Sequence, residues 1–558
     1  MVKLGQGMKN ISLILGMIFL IGCGGGEGVS SIEPVIKIDD KEKKVDFIQF
    51  DDGLKAMSIS KPDEFEYLSA GQATTDVQTA EAYGQAIPAI KGKFEKNALF
   101  KGGDHLFRNP HNGTGPLFNT ATCQGCHVKD GRGNVPVSID KPMVSMFLRI
   151  SDAEGNPDVI YGNQLQTFGI TGNGESILPK HDGAINENIS YGEAYAFVEY
   201  ETITGQYNDG ESYQLRKPIY KVKDLSYGDF NETVRLSPRV SPPVFGTGLL
   251  ESIPEEALAF YSDPDDKNKD GISGRAVYSV EPISNKNKIT RFGYKATTTS
   301  ILQQISGAYR GDMGITNFVE QQEPCTQLQV ACLAQAQLEQ NIQEFGLDLS
   351  KVSLAQVEFY NRTLSVPKRR GYDNQNNTWQ PEVLAGRTQF FELNCNGCHV
   401  PRFKTQPGHA SLLGDVTVSE ILDSQTPISE LGEHVIYPYT DLLLHDMGGQ
   451  CADIYREGAQ GQACESGSEC IWVQKCEGLA DNRPEGQATG TEWKTPALWG
   501  LGLVQTVNSS ATLLHDGRAR TIAEAILWHG GEAEQAKNNF IALPKEKRKQ
   551  LLTFLESL

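Results

Sequence analysis

The sequence predicts a mainly α-helical fold of two tandem, related domains with short β-strands and long loops inserted, and three observations carry that prediction. The first is a repeated five-residue pattern: Cys123-Gln124-Gly125-Cys126-His127 and Cys395-Asn396-Gly397-Cys398-His399. In a CxxCH the two thiols add across the vinyl groups of a haem, and the histidine that follows becomes the proximal iron ligand. One copy also fits a redox dithiol or half of a zinc site, but two copies point to two covalently bound haem c groups in cytochrome c-like domains. The second is a longer echo. Pro242-Pro243-Val244-Phe245-Gly246-Thr247-Gly248-Leu249 matches Pro496-Ala497-Leu498-Trp499-Gly500-Leu501-Gly502-Leu503, each roughly a hundred residues after its CxxCH, as tandem related domains would give. The third is a set of helix signals beside the motifs, described below.

The amino terminus bears on location. Lys3 and Lys9 precede an apolar run from Ile11 to Ile21 that is short for a membrane span and ends Leu20-Ile21-Gly22-Cys23. This reads as a lipoprotein signal peptide over 1–22, with cleavage leaving Cys23 lipidated and the chain anchored to a bacterial membrane in the periplasm, the outer membrane being favoured. Residues 23–58 then read as a flexible tether. The net charge of −19 argues against nucleic acid and against docking on anionic lipid, so contact with the membrane is expected through the anchor only. That charge permits steering of a basic electron donor, a small redox protein such as a cytochrome c or a cupredoxin.

Eleven cysteines divide cleanly. With Cys23 lipidated and four attached to haem, Cys325, Cys332, Cys451, Cys464, Cys470 and Cys476 remain, an even number in an oxidising compartment. Cys325 and Cys332 would close a short loop, and the other four would staple an insertion at 449–480; their spacing lacks the close CxxC pair of a zinc site.

In chain order, residues 59–370 are expected to form the first haem domain and 371–558 the second. Residues 140–235 alternate polar and apolar positions between Gly and Asn turns and read as inserted strands. Asp266, Asn268 and Asp270 followed by Gly271 resemble the first half of a calcium loop, but Val277 stands where the twelfth-position Glu belongs, so calcium and a plain polar turn both remain open. An amphipathic helix covers 352–363, and Pro381 opens another through Leu393. Thr521-Ile522-Ala523-Glu524 is a capping box for a helix running to His529, where Gly530-Gly531 stops it. Ile522, Ala525, Ile526 and His529 share one stripe, so His529 is expected to be buried; spacing alone favours a satisfied core histidine over an iron ligand. Arg132 fits either a haem propionate partner or a solvated side chain.

Several longer stretches together resemble the bacterial di-haem oxidoreductase family, often labelled thiol oxidoreductases and related to di-haem cytochrome c peroxidases and to the di-haem enzyme that matures methylamine dehydrogenase. The stretches include Gly115-Pro116-Leu117-Phe118-Asn119, Tyr161-Gly162-Asn163-Gln164-Leu165-Gln166, Asp270-Gly271-Ile272-Ser273-Gly274-Arg275, Asp312-Met313-Gly314-Ile315-Thr316-Asn317, Leu444-His445-Asp446-Met447-Gly448 and His515-Asp516-Gly517-Arg518-Ala519. The resemblance implies that the second haem is held by His399 and His529, with Met447 and Tyr439 as alternative distal ligands, and that it relays electrons. It implies that the first haem is the reactive one and reduces hydrogen peroxide, with Gln164, Gln166, His181 and Glu251 as candidates for catalytic work on the O–O bond. His181 is also a candidate displaceable ligand. The relatives place a Trp between their haems in the first domain, whereas this sequence has no Trp before Trp379. Two other functions stay open: a non-enzymatic di-haem electron-transfer cytochrome serving a partner, for example in metal uptake, and oxidation of a partner protein or organic substrate.

Overall fold

The computed structural model describes residues 57–558 together with Phe47–Ile48, apart from 137, 139–140, 182–187, 283, 339–345, 407–427, 459–460 and 465–469. The expected signal peptide, the lipidation site Cys23 and nearly all of the tether lie outside the described residues. Among the described residues no helix is long and apolar enough to cross a membrane.

Strand content corrects the expected fold class. The chain is 28% helical and 22% strand, spread over many small sheets, so it is a mixed α and β molecule rather than a mainly α one, and two cytochrome c-like domains are not what this content describes. The reason lies in partners distant in sequence. Tyr195–Gln206 and Ser212–Lys223 pair as a long antiparallel hairpin, and the outer edge of that hairpin is covered by Cys470–Gly478 from the second half, with Tyr220 opposite Gln474 and Val222 opposite Trp472. Gly449–Cys451 and Tyr455–Gly458 complete the sheet. The cysteine-rich insertion is therefore sheet-forming, and disulfides Cys451–Cys476 and Cys464–Cys470 lie within it, while Cys325–Cys332 closes the expected short loop. Met146–Ser151 and Arg235–Val240 form a second antiparallel pair, whose inward side chains Met146, Leu148, Leu236 and Val240 join Tyr220, Val222 and Trp472 in one buried cluster.

Helices pack beside these sheets in pairs. Phe94–Arg108 lies against Lys351–Arg362, the amphipathic helix expected at 352–363, and buries Phe100 and Phe107 against Tyr360. Pro381–Glu392 begins at its proline as expected and packs on Lys545–Ser557, with Phe390 against Phe554. Backbones come close here: a Cβ on Gly386 would stand 1.9 Å from the Gln550 carbonyl oxygen.

The internal echo has a physical basis. Gly246 and Gly500 both start short helices from left-handed backbone, at φ of 70° and 74°. Phe245 and Trp499, which precede them, are both buried. Each glycine receives the other copy's ring: a Cβ on Gly246 would lie 2.6 Å from Trp499, and one on Gly500 would lie 2.5 Å from Phe245. No residue with a Cβ fits either place without moving an aromatic ring. The two copies thus interlock across the middle of the molecule, with Tyr83 stacked on Phe245 at 4.1 Å and donating from its hydroxyl to the Gly500 carbonyl at 2.6 Å.

Candidate functional site

Both CxxCH motifs are short helical turns with the same histidine arrangement. Thr122 caps the first turn, its hydroxyl accepting the Gly125 N–H at 2.8 Å. His127 is half-buried and holds its Nδ1 2.7 Å from the Pro242 carbonyl, a residue of the internal echo. His399 likewise sets Nδ1 3.0 Å from the Tyr439 carbonyl. A carbonyl on Nδ1 fixes that nitrogen as the N–H and leaves Nε2 with its lone pair, the tautomer an iron ligand needs. Burial holds both imidazoles neutral, at a pKa of about 4; for His399 the neighbouring His529 adds to the effect.

His529 is the second imidazole of the later site. Its helix, Ile522–Leu527, starts on the expected Thr521 cap, which accepts the Glu524 N–H at 3.1 Å, and stops two residues short of the expected end. His529 follows in the turn, with Nδ1 2.8 Å from the Ala525 carbonyl and Nε2 again left over. The stripe expected to be buried is only half-buried: Ile522, Ala525, Ile526 and His529 are partly open, and Glu524, Leu527 and Trp528 form the packed face instead. An apolar stripe left partly open beside a CxxCH, with a second imidazole at its end, is the surface a porphyrin face would cover.

His445 is a residue of this site that sequence reasoning missed. It is buried, with Nδ1 3.4 Å from the Cys398 sulfur and 2.7 Å from Glu532, and Nε2 2.9 Å from Asp441. Burial opposes its charge, but Cys398 and Asp441 outweigh that, and its pKa stands well above the usual imidazole value. The Ile272-Ser273-Gly274 stretch leans on the same place. Ser273 donates its N–H and hydroxyl to Glu532 at 3.0 and 2.8 Å, and Gly274 leaves room for the His445 ring. His445 lies in a stretch that carries the family resemblance, but nothing in its spacing marks it for a role.

Around the first motif the neighbours are amides and carboxyls. The helix Ile301–Met313 is capped by Ser300 and ends at Gly314. Its last turn docks on the strand entering the motif: the Asp312 carbonyl accepts N–H groups from Asn119 and Thr120 at 2.8 and 3.1 Å. This sets the Asp312 carboxyl beside the motif, close enough to oppose ionisation of the Cys123 and Cys126 thiols. Burial raises its pKa to about 6, although Gln164 Nε2, at 2.7 Å from Oδ1, pulls the other way. Gln166 accepts from Asn119 at 2.7 Å and donates to the Gly311 carbonyl. Behind it Glu193, buried and raised to about 8, accepts the Gln166 N–H at 2.6 Å. Tyr309, one turn before Asp312 on the same helix, holds its hydroxyl 3.3 Å from His111 Nε2. Among the described residues no second imidazole pairs with His127 as His529 does with His399.

The remaining expected residues fall as follows. Gln164 and Gln166 meet at the first site, as the geometry above describes. Glu251 does not join them: it sits at the opposite end of Ile301–Met313, taking the Ile301 N–H at 2.9 Å and Arg362 at 2.7 Å, roughly 16 Å along the helix from Asp312 at 1.5 Å per residue. His181 is exposed at the edge of residues 182–187, outside the described set. Met447 packs partly buried on the core of the second site, next to Gly530. The Tyr439 hydroxyl donates to Glu66 at 2.7 Å, so only its backbone serves the second site. Asp266, Asn268 and Asp270 turn their side-chain oxygens on the loop's own N–H groups, and among the described residues no cluster of three or more His, Cys, Asp or Glu is arranged to hold a metal ion. Arg132 donates to the Thr512 and Leu514 carbonyls. Asp312 was in view within a family motif, but nothing in its spacing marks a carboxyl that the fold will bury.

The donor set fits haem. Among the described cysteines only the four of the CxxCH motifs are free of disulfides, each pair beside a histidine whose Nε2 is left over. Comparison with known proteins agrees. No curated protein matches the chain. Among solved structures, hydrazine synthase of Kuenenia stuttgartiensis pressurised with xenon is similar at 17% identity over 38% of this chain, with a TM-score of 0.21; the match spans 57% of that chain, under two thirds of its length. A family described as "Di-haem oxidoreductase, putative peroxidase" matches residues 89–473 and 457–558. That match takes in both CxxCH motifs and implies haem cofactors, and the chain belongs to the di-haem oxidoreductase family.

Proposed function

We propose that this di-haem oxidoreductase is peroxidase-like: it takes electrons from a small redox protein at the second site and reduces hydrogen peroxide at the first. It works in the periplasm, anchored through a lipid on Cys23. The observation that supports this division is the contrast between His399, with His529 beside it, and His127, with the Asp312 carboxyl near its motif instead. Cys123 and Cys126 would hold one haem and Cys395 and Cys398 the other, with His127 and His399 as the imidazoles offered to the iron. Bound haem supplies an iron that takes up peroxide and the electrons that reduce it.

The chain's own groups then divide the remaining work. His529 would be the second imidazole to hold the haem at the second site, which would suit that site to relay. Asp312 serves the first as the proton-holding group. Its Oδ1 takes the Gln164 N–H, leaving Oδ2 to accept a proton from the attacking oxygen and return it to the leaving one, and a pKa of about 6 suits both directions near neutral pH. Gln164 and Gln166 position Asp312 and Asn119 rather than touch peroxide.

Adding carbon monoxide to the fully reduced protein tests the reading. Binding at one haem only, the first, which has no second imidazole beside it, is the expected result. Binding at neither replaces the peroxidase with an electron-transfer cytochrome.

A further inference from the structure

Six charged side chains meet in the interior between the two motifs, and cations outnumber carboxylates. Glu485 takes Arg149 at 3.0 Å, Arg239 at 3.0 Å and Arg483 at 2.7 Å. Asp481 takes Lys295 at 3.1 Å and Arg239 at 3.5 Å. Four cations therefore face two carboxylates, and three of the cations are almost wholly buried: the Lys295, Arg239 and Arg483 side chains are 0%, 5% and 3% exposed. Two buried guanidinium nitrogens, Nε of Arg149 and Nε of Arg483, have no acceptor among the described residues. Unpaired charge and unmet donors in a protein interior are costly, so such a cluster points to an anion with several oxygen acceptors.

The surroundings say which anion. On one side, Arg149 donates to Gln164 at 3.3 Å, Gln164 to Asp312 at 2.7 Å, and Asp312 faces Cys126. Arg239 lies two residues before Ser241, whose hydroxyl also faces Cys126. On the other side, Lys295 and Arg239 stand over the Trp493 ring at 4.1 and 4.9 Å. Trp493 lies directly across its strand pair from His445, which touches Cys398. Haem c carries two propionate carboxylates, and a guanidinium fork matches a carboxylate with two hydrogen bonds.

We propose that Arg149, Arg239, Arg483 and Lys295 form the seat for the propionate carboxylates of the haem attached at Cys123 and Cys126, with Asp481 and Glu485 as the counter-charges that hold the seat open. This rests on the haem assignment of the preceding section. The seat supplies positive charge to the first haem directly and to the second through the Trp493 and His445 neighbourhood, so it raises the first haem's reduction potential more.

The test is spectroelectrochemistry of the holoprotein, the first haem being the one whose spectrum is unchanged by His529→Ala. Arg483→Gln is expected to lower the first haem's midpoint potential, Arg483→Lys to stay near the parent, and Glu485→Gln, which adds net positive charge and keeps the test open if Arg483→Gln misfolds, to raise it. Equal first-haem midpoints in the parent and in whichever of Arg483→Gln and Glu485→Gln fold, with both haems bound, would overturn the seat alone. A saturable shift of the parent's midpoint on titrating succinate would also overturn it, because the cluster would then hold a free acid. A pyridine haemochrome assay finding no haem would overturn the haem assignment and the seat together.

Discussion

The two CxxCH motifs are the same device in unlike surroundings. Each turn presents two thiols and a histidine whose Nδ1 is tied to a backbone carbonyl, Pro242 in one and Tyr439 in the other. Past that point they diverge. Near His399 the chain brings a second neutral imidazole with Nε2 to spare and a buried imidazole, His445, held between Asp441 and Glu532. Near the first motif it brings Asp312 and, behind that, Glu193, two carboxyls that burial keeps protonated to unusually high pH. Local sequence builds each motif's turn, and residues delivered from far along the chain make its surroundings unlike the other's.

The contrast is tested most severely at attachment itself. Replacing Cys123 and Cys126 together by Ala, or Cys395 and Cys398 together, is expected to remove one haem of two, halving the pyridine haemochrome yield per chain. A full yield from either double variant would mean that motif carries no haem.

Next in size is the proton. Asp312→Asn is expected to slow peroxide reduction by about 10²–10⁴-fold, the usual worth of a positioned acid–base group. The parent's rate should climb as pH rises through about 6, since the carboxyl must be ionised to accept the first proton, and the variant should lose that limb. A parent profile flat across that range would assign the proton to another group.

Spin state sharpens the other side. His529→Ala should turn the second haem from low to high spin and leave the first untouched, because alanine cannot ligate iron. A spectrum identical to the parent would make His529 a core histidine and bring Met447 forward.

The smallest effect is on stability. Burial raises Glu193 to about 8 in the folded chain, against roughly 4.3 for an unperturbed glutamate, so the folded state holds the proton more tightly than the unfolded one. Its stabilising contribution is complete below about pH 4 and is lost as pH rises through 8. Tm of the parent should fall across pH 5–8 more steeply than that of Glu193→Gln, with a difference on the order of a few degrees. Parallel curves would place the titration elsewhere.

Much of the second site was legible in the sequence, because its parts are local. The capping box at Thr521, the helix opened by Pro381 and both CxxCH motifs depend on spacings of a few residues, and each is in place. The fold class was misjudged for the opposite reason. The alternation over 140–235 marked strands, but Ser212–Lys223 finds its edge partner in Cys470–Gly478, and no local pattern reveals a partner that distant. The same holds for Asp312 and His445, whose chemistry comes from burial and from neighbours such as Gln164 and Glu532 that arrive from elsewhere in the chain.

The interlocked glycines carry a consequence for the order of folding. Phe245 has no seat until Gly500 exists, and Gly246 has no ring to receive until Trp499 exists. The chain emerges amino-terminus first, so Phe245 and Gly246 appear before Trp499 and Gly500 do. Throughout that interval the Pro242 carbonyl that fixes His127 belongs to a segment still lacking its partner. The later half of the chain thus supplies the latch of the earlier half: the seat for Phe245 lies in the last sixty residues or so, about a tenth of the protein.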